Sequence, residues 1–146
     1  MSMYRCYTWT YQLEAPPFGP LMDVLNAFFA AYPKGDYTCE LRETYKLEFR
    51  RGRWKRLLGI GPQVPAALVR GDFSQWPLIV RVLARPSPER NLIFARYELY
   101  LPRSIKELVP ELQSSVDLHI RAELADLAAY LRECMNLDKP PEVTAA

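Results

Sequence analysis

With 146 residues, of which 49% are hydrophobic, 25% charged and 12% aromatic, the chain has the composition of one ordinary globular domain. A domain of this size buries roughly 70% of the surface its unfolded form exposes, so it needs neither a disulfide nor a metal to fold. The composition excludes disordered and fibrous classes, and a net charge of +2 is too small to argue for a polyanionic partner.

The N-terminus, Met1 to Arg5 followed by alternating aromatics, lacks the apolar core of a secretory signal, so a cytoplasmic location is the expectation. From Tyr4 to Leu13 the residues alternate, with Tyr7, Trp9, Tyr11 and Leu13 on one face and Cys6, Thr8, Thr10 and Gln12 on the other. That is a strand with an aromatic face. Ala15-Pro16-Pro17 ends it. Leu21, Leu25, Phe28, Phe29 and Tyr32 then recur at helical spacing until Pro33-Lys34-Gly35, which predicts a short amphipathic helix.

Tyr37, Cys39, Leu41, Tyr45, Leu47 and Phe49 share one parity, and Thr38, Glu40, Arg42, Lys46, Glu48 and Arg50 the other. The pattern predicts one strand covering a core on a single side, with Glu43 the only charge at an inward position. Arg51-Gly52 is a plausible hairpin turn, which would set Phe49 against Trp54 and Glu48 against Lys55. Gly59 to Pro65 and Gly71 to Pro77 are turn-rich, leaving Ala66 to Arg70 as at most a short strand. The Gly59-x-Gly61 pair is followed by proline and opens no helix, so it reads as a loop. Leu78 to Arg85 and Leu92 to Leu101 are two further strands.

Ser104 to Met135 is the longest segment with a single helical period. Leu112, Val116, Ile120, Leu127 and Leu131 form its stripe, widened by Leu124 and Met135. Ser104 and Glu107 have capping-box spacing, and Pro110 is then expected to kink the helix one to two turns in. The sequence is read as one domain over residues 1–138 with a frayed tail over 139–146. The longest apolar runs, such as Ala27 to Ala31, fall far short of the roughly 20 residues that span a bilayer, so no membrane span is expected.

Cys6, Cys39 and Cys134 are odd in number and far apart, and they read as small buried residues. His119 is the only histidine, and neither a metal site nor a cofactor is expected.

Together the elements predict an α+β fold: a curved antiparallel sheet of five to six strands, a short helix after strand one, and a long C-terminal helix packed on one face. This order, with the step Leu13-Glu14-Ala15-Pro16 and the closing Leu108-to-Met135 helix, resembles the helix-grip arrangement of the START and birch-allergen-like (SRPBCC) superfamily. The resemblance covers most of the chain and rests on element order and lengths. It implies an apolar ligand held between sheet and long helix, in a superfamily that includes both binding proteins and enzymes. The chain departs from the pattern in having one helix after strand one where the family usually has two.

Two constellations could carry function. If the helix packs over the sheet, Glu43, His119 and Glu123 could converge with Tyr7, Trp9, Tyr11 and Tyr45 on one pocket capable of acid/base work. The plainer reading makes His119 and Glu123 an i,i+4 surface pair, worth a few tenths of a kcal/mol, and places Glu43 at a bulge or strand end. Arg50-Arg51-Gly52-Arg53-Trp54-Lys55-Arg56 could grip phosphates through Arg51, Arg53, Lys55 and Arg56 while Trp54 stacks a base. As a solvated edge guarded by its charges it needs no partner, and with net charge near neutral nucleic acid is not the favoured ligand. The expectation is a binding protein for a small apolar or amphipathic molecule, with an enzyme using Glu43, His119 or Glu123 as the less favoured version of the same site. The alternatives are a non-catalytic homodimer or a phosphate contact through residues 50–56.

Overall fold

The computed structural model describes residues 4–33, 35–52, 76–103 and 108–146. Its elements run β1 (Tyr4–Ala15), α1 (Leu21–Ala31), β2 (Thr38–Arg42), β3 (Lys46–Arg51), β4 (Leu78–Pro86), β5 (Asn91–Pro102), α2 (Pro110–Met135) and β6 (Val143–Ala145). The fold is α+β: the six strands form one open antiparallel sheet in the order β2-β3-β4-β5-β1-β6. The first strand therefore lies beside the fifth, in register from Tyr4↔Pro102 to Ala15↔Asn91.

Strand alternation sends one parity inward. Tyr11, Leu13 and Ala15 of β1, Leu47 and Phe49 of β3, Val80 and Val82 of β4, and Ile93, Ala95, Tyr97 and Leu99 of β5 are buried. Against them pack Leu25, Phe28 and Phe29 of α1 and the α2 stripe Leu112, Val116, Ile120, Leu124, Leu127 and Leu131. Phe29 stacks on Phe49 at 5.1 Å, which locks α1 to β3, next to the β2 edge of the sheet. The opposite face carries a charged ladder. Arg81 bonds Glu98 at 2.6 Å and meets Glu48, while Arg96 lies 3.4 Å from Glu98.

Several expectations are corrected. The single strand over 37–49 is two strands: the chain turns at Glu43–Tyr45, closed by the Glu43 N–H donating to the Lys46 carbonyl at 2.8 Å. A bulge between Cys39 and Leu41 shifts the register of β2 on β3. Pro110 does not kink α2 but occupies its first turn, where proline's missing N–H costs nothing. The Ser104–Glu107 cap lies outside the described residues, as does the strand considered over 66–70.

The tail read as frayed ends in β6, which pairs Leu13↔Val143 to Tyr11↔Ala145 on the free side of β1. The three cysteines, read as buried, are all exposed, because each sits on an outward parity, an edge strand or the solvent side of α2. Helix α2 closes on Asn136 in the left-handed region (φ 54°), with the Leu137 N–H donating to the Arg132 carbonyl at 2.9 Å. Among the described residues, no helix is long and apolar enough to cross a membrane.

Candidate functional site

Two places between sheet and α2 gather polar side chains. The first is buried. Alternation along β3 places Arg51 inward after Leu47 and Phe49, and its side chain is fully enclosed. It faces Glu123 of α2, also buried, with NH1 3.7 Å from Oε2. The same guanidinium reaches the Gly35 carbonyl at 3.5 Å and lies 4.6 Å from the centre of the Tyr37 ring.

Tyr97 of β5 completes the group. Burial raises the Glu123 pKa, opposed first by the Arg51 charge and then by the Tyr37 and Tyr97 hydroxyls that approach the carboxylate. Both tyrosines are held far above the usual phenol range, by burial first and by the Glu123 charge second. Yet neither Glu123 oxygen and neither tyrosine hydroxyl completes a well-formed hydrogen bond. In folded proteins the large majority of such buried atoms are bonded.

The second place is a cleft of about 430 Å³ between β1, β6 and the N-terminal half of α2. Trp9 and Tyr11 supply its aromatic wall, and Gln113, Ser114, Asp117 and Arg121 its polar side. The Tyr11 hydroxyl donates to Asp117, whose other oxygen accepts from Arg121 Nε at 2.9 Å, and the Arg121 guanidinium sits 5.2 Å from the Tyr11 ring centre. Burial and the Asp117 carboxylate push the Tyr11 pKa up to about 12. Burial alone would raise Asp117, but the bonds from Tyr11 and Arg121 outweigh it and hold the carboxyl below its ordinary value. The cleft's volume is within the range of small-molecule sites.

The residues singled out from sequence do not all meet. Trp9 and Tyr11 share the cleft. Tyr7 is half-buried one pleat along the same face, opposite Leu99, with its hydroxyl unbonded. Glu43, on the inward parity in sequence, is exposed in the β2–β3 turn, at the strand end that the plainer reading gave it, and Tyr45 there is 50% exposed. Three strand spacings, roughly 14 Å, separate that hairpin from β1, so neither residue joins the aromatic cleft.

His119 is exposed, its ring edge-on to Trp76 at 5.7 Å, whereas Glu123 one turn later faces the interior. They are not a surface pair. Arg51 is in the core and not at an exposed tip. Its strand has β2 on one side and β4 on the other, with Phe49 opposite Cys39 and Val80. The register of Phe49 with Trp54 is therefore excluded. Arg53, Trp54, Lys55 and Arg56 lie outside the described residues.

Sequence reasoning missed Asp117, Arg121 and the Arg51–Glu123 pairing. For Arg51 a signal was present, since it continues the inward alternation of Leu47 and Phe49. Among the described residues no three His, Cys, Asp or Glu side chains converge as a metal site. Comparison of the chain with protein-family models, with curated proteins and with solved structures gives no match.

Proposed function

We propose that the chain is a binding module for a small amphipathic molecule, held between the sheet and the C-terminal helix. The observation that carries this reading is the cleft walled by Trp9 and Tyr11 on one side and by Asp117 and Arg121 on the other. The apolar body of a ligand lies against the indole, and its polar end exchanges hydrogen bonds with the half-exposed Asp117–Arg121 pair. Element order supports a helix-grip arrangement as well: one helix after the first strand, an antiparallel run returning to that strand, then one long helix. The Tyr11 hydroxyl is held protonated well past neutral pH, which favours its use as a fixed donor and not as a base.

Titration with a solvatochromic dye tests the proposal. Trp9→Ala should weaken dye binding about tenfold, since burying an indole face contributes on the order of 1.5 kcal/mol or more. Native mass spectrometry of protein released from cells should show a small-molecule adduct that the variant loses. Equal dye affinity in both proteins, with no adduct on either, would sink the proposal.

A further inference from the structure

The interior cluster is separate from the cleft. Asp117 and Glu123 lie on different faces of α2, one partly open to solvent and the other buried. Four oxygens converge in the cluster without a completed hydrogen bond: two from the Glu123 carboxylate and one each from Tyr37 and Tyr97. All four atoms are shut off from solvent, those of Glu123 and Tyr97 in the core and that of Tyr37 on a partly buried ring packed against it, and a carboxylate left unbonded there is costly. The 3.7 Å between Arg51 and Glu123 is also longer than a direct charge-assisted contact of about 2.8 Å.

Charge and valence narrow what that group is. An anion would meet the Glu123 carboxylate and a cation the Arg51 guanidinium, so the group is neutral. Above its raised pKa Glu123 is ionised and only accepts, so in that state a group that pairs with it donates one proton to it. The tyrosine hydroxyls can both donate, so a group that satisfies the two of them accepts twice. One donor and two acceptor sites are the complement of a hydroxyl.

We propose that this cluster is a binding site for one hydroxyl group, which donates to Glu123 and accepts from Tyr37 and Tyr97. The hydroxyl is either an internal water or the alcohol end of an organic molecule; both offer an O–H donor and two lone pairs, water carrying one further O–H. The inference does not depend on the cleft: Trp9 and Arg121 take no part in it.

Thermal unfolding of the full chain gives a sign test. A buried hydroxyl with no partner is a burden, so Tyr→Phe would raise Tm, whereas a hydroxyl bonded to a resident group is an asset. Tyr37→Phe and Tyr97→Phe are each expected to lower Tm by about 2–4 °C. A rise, or no change, in either variant overturns the proposal.

A high-resolution crystal structure of the unaltered chain is the second arm. It is expected to show an oxygen within hydrogen-bond distance of Glu123 and of both tyrosines. Density for a lone oxygen assigns the group to water. Density continuing into a larger molecule, matched by an adduct in native mass spectrometry, assigns it to an organic alcohol. Tyr37 and Tyr97 bonded directly to Glu123 with no third oxygen between them would overturn the proposal whatever the variants do.

Discussion

Gly52 packs so closely under Trp76 that a Cβ on residue 52 would stand 2.0 Å from the Trp76 carbonyl oxygen and 2.8 Å from the Pro77 nitrogen. The backbone there has φ 98°, which residues with a side chain rarely adopt. Both obstacles are main chain, so no rotamer change relieves them. Gly52→Ala is expected to destabilise the fold by about 3 kcal/mol, read as a lower urea midpoint with an unchanged slope. Retention of wild-type stability would show that β3 and β4 can separate at this end at little cost.

Glu123 makes stability depend on pH in the direction opposite to most carboxylates. Its folded pKa is raised above the ordinary 4.5, so the folded chain keeps a proton that the unfolded chain has released. The stability it contributes is fully present below about pH 4.5 and is lost as pH rises through the folded value. The tyrosines Tyr37 and Tyr97 facing it stay neutral in that interval, while the Arg51 charge lowers its pKa and the Asp126 charge, close by on the same helix, raises it. The difference in unfolding free energy between the wild type and Glu123→Gln should slope with pH above 4.5 and flatten below it. A flat difference from pH 4 to 8 would mean that Glu123 titrates alike in both states.

Arg51 and Glu123 also show where the sequence was legible and where it was not. The α2 stripe could be read because a helical period repeats over seven turns, and β4 and β5 because turn residues bracket them. Glu43 was misplaced because the turn at Glu43–Tyr45 leaves the alternation unbroken in print while reversing the chain. Pro110 fits a kink and a first-turn position equally well, and only the path of the preceding residues chooses. The Arg51 partner lies on a helix far along the chain, a relationship that no local pattern encodes. Trp9 and Tyr11 are visible as an aromatic face, but nothing in the sequence sets Asp117 and Arg121 apart from the other charges of the helix. They become a site only when β1 is laid beside α2.

Tyr11 and Asp117 tie the first strand to the last helix by a partly buried hydrogen bond. Tyr11→Phe should cost about 1.5–3 kcal/mol at pH 7, as expected for a bond to a charged acceptor. In the wild type the Tyr11 pKa is raised from 10 to about 12, so its contribution is fully present below pH 10 and is lost as pH rises towards 12. Urea unfolding at pH 7 and pH 11 checks both statements. A Tyr11→Phe cost that stays the same at the two values would show that the hydroxyl is not what holds α2 to β1.

The left-handed cap at Asn136 gives a smaller, independent test. Asn136→Ala should lower stability by about 1 kcal/mol, because alanine adopts φ near 54° at a cost and asparagine less so. Asn136→Gly should be neutral or slightly stabilising. The two variants, compared by thermal unfolding, separate backbone conformation from side-chain contact. Equal losses in both would point to the side chain.

The pairing of β1 with β5 sets a timetable for the chain's assembly. The Tyr11–Asp117 bond joins residues 106 positions apart, and every rung between the first and fifth strands spans most of the sequence. The neighbouring strands β2 with β3 and β4 with β5 are joined by short turns and can zip as hairpins within microseconds. During synthesis β1 therefore waits, its aromatic face uncovered, until β5 has left the ribosome at about 5–20 residues per second. Such long loop closure places the molecule among slow folders, milliseconds to seconds, and leaves the aromatic face of β1 open to aggregation for that time.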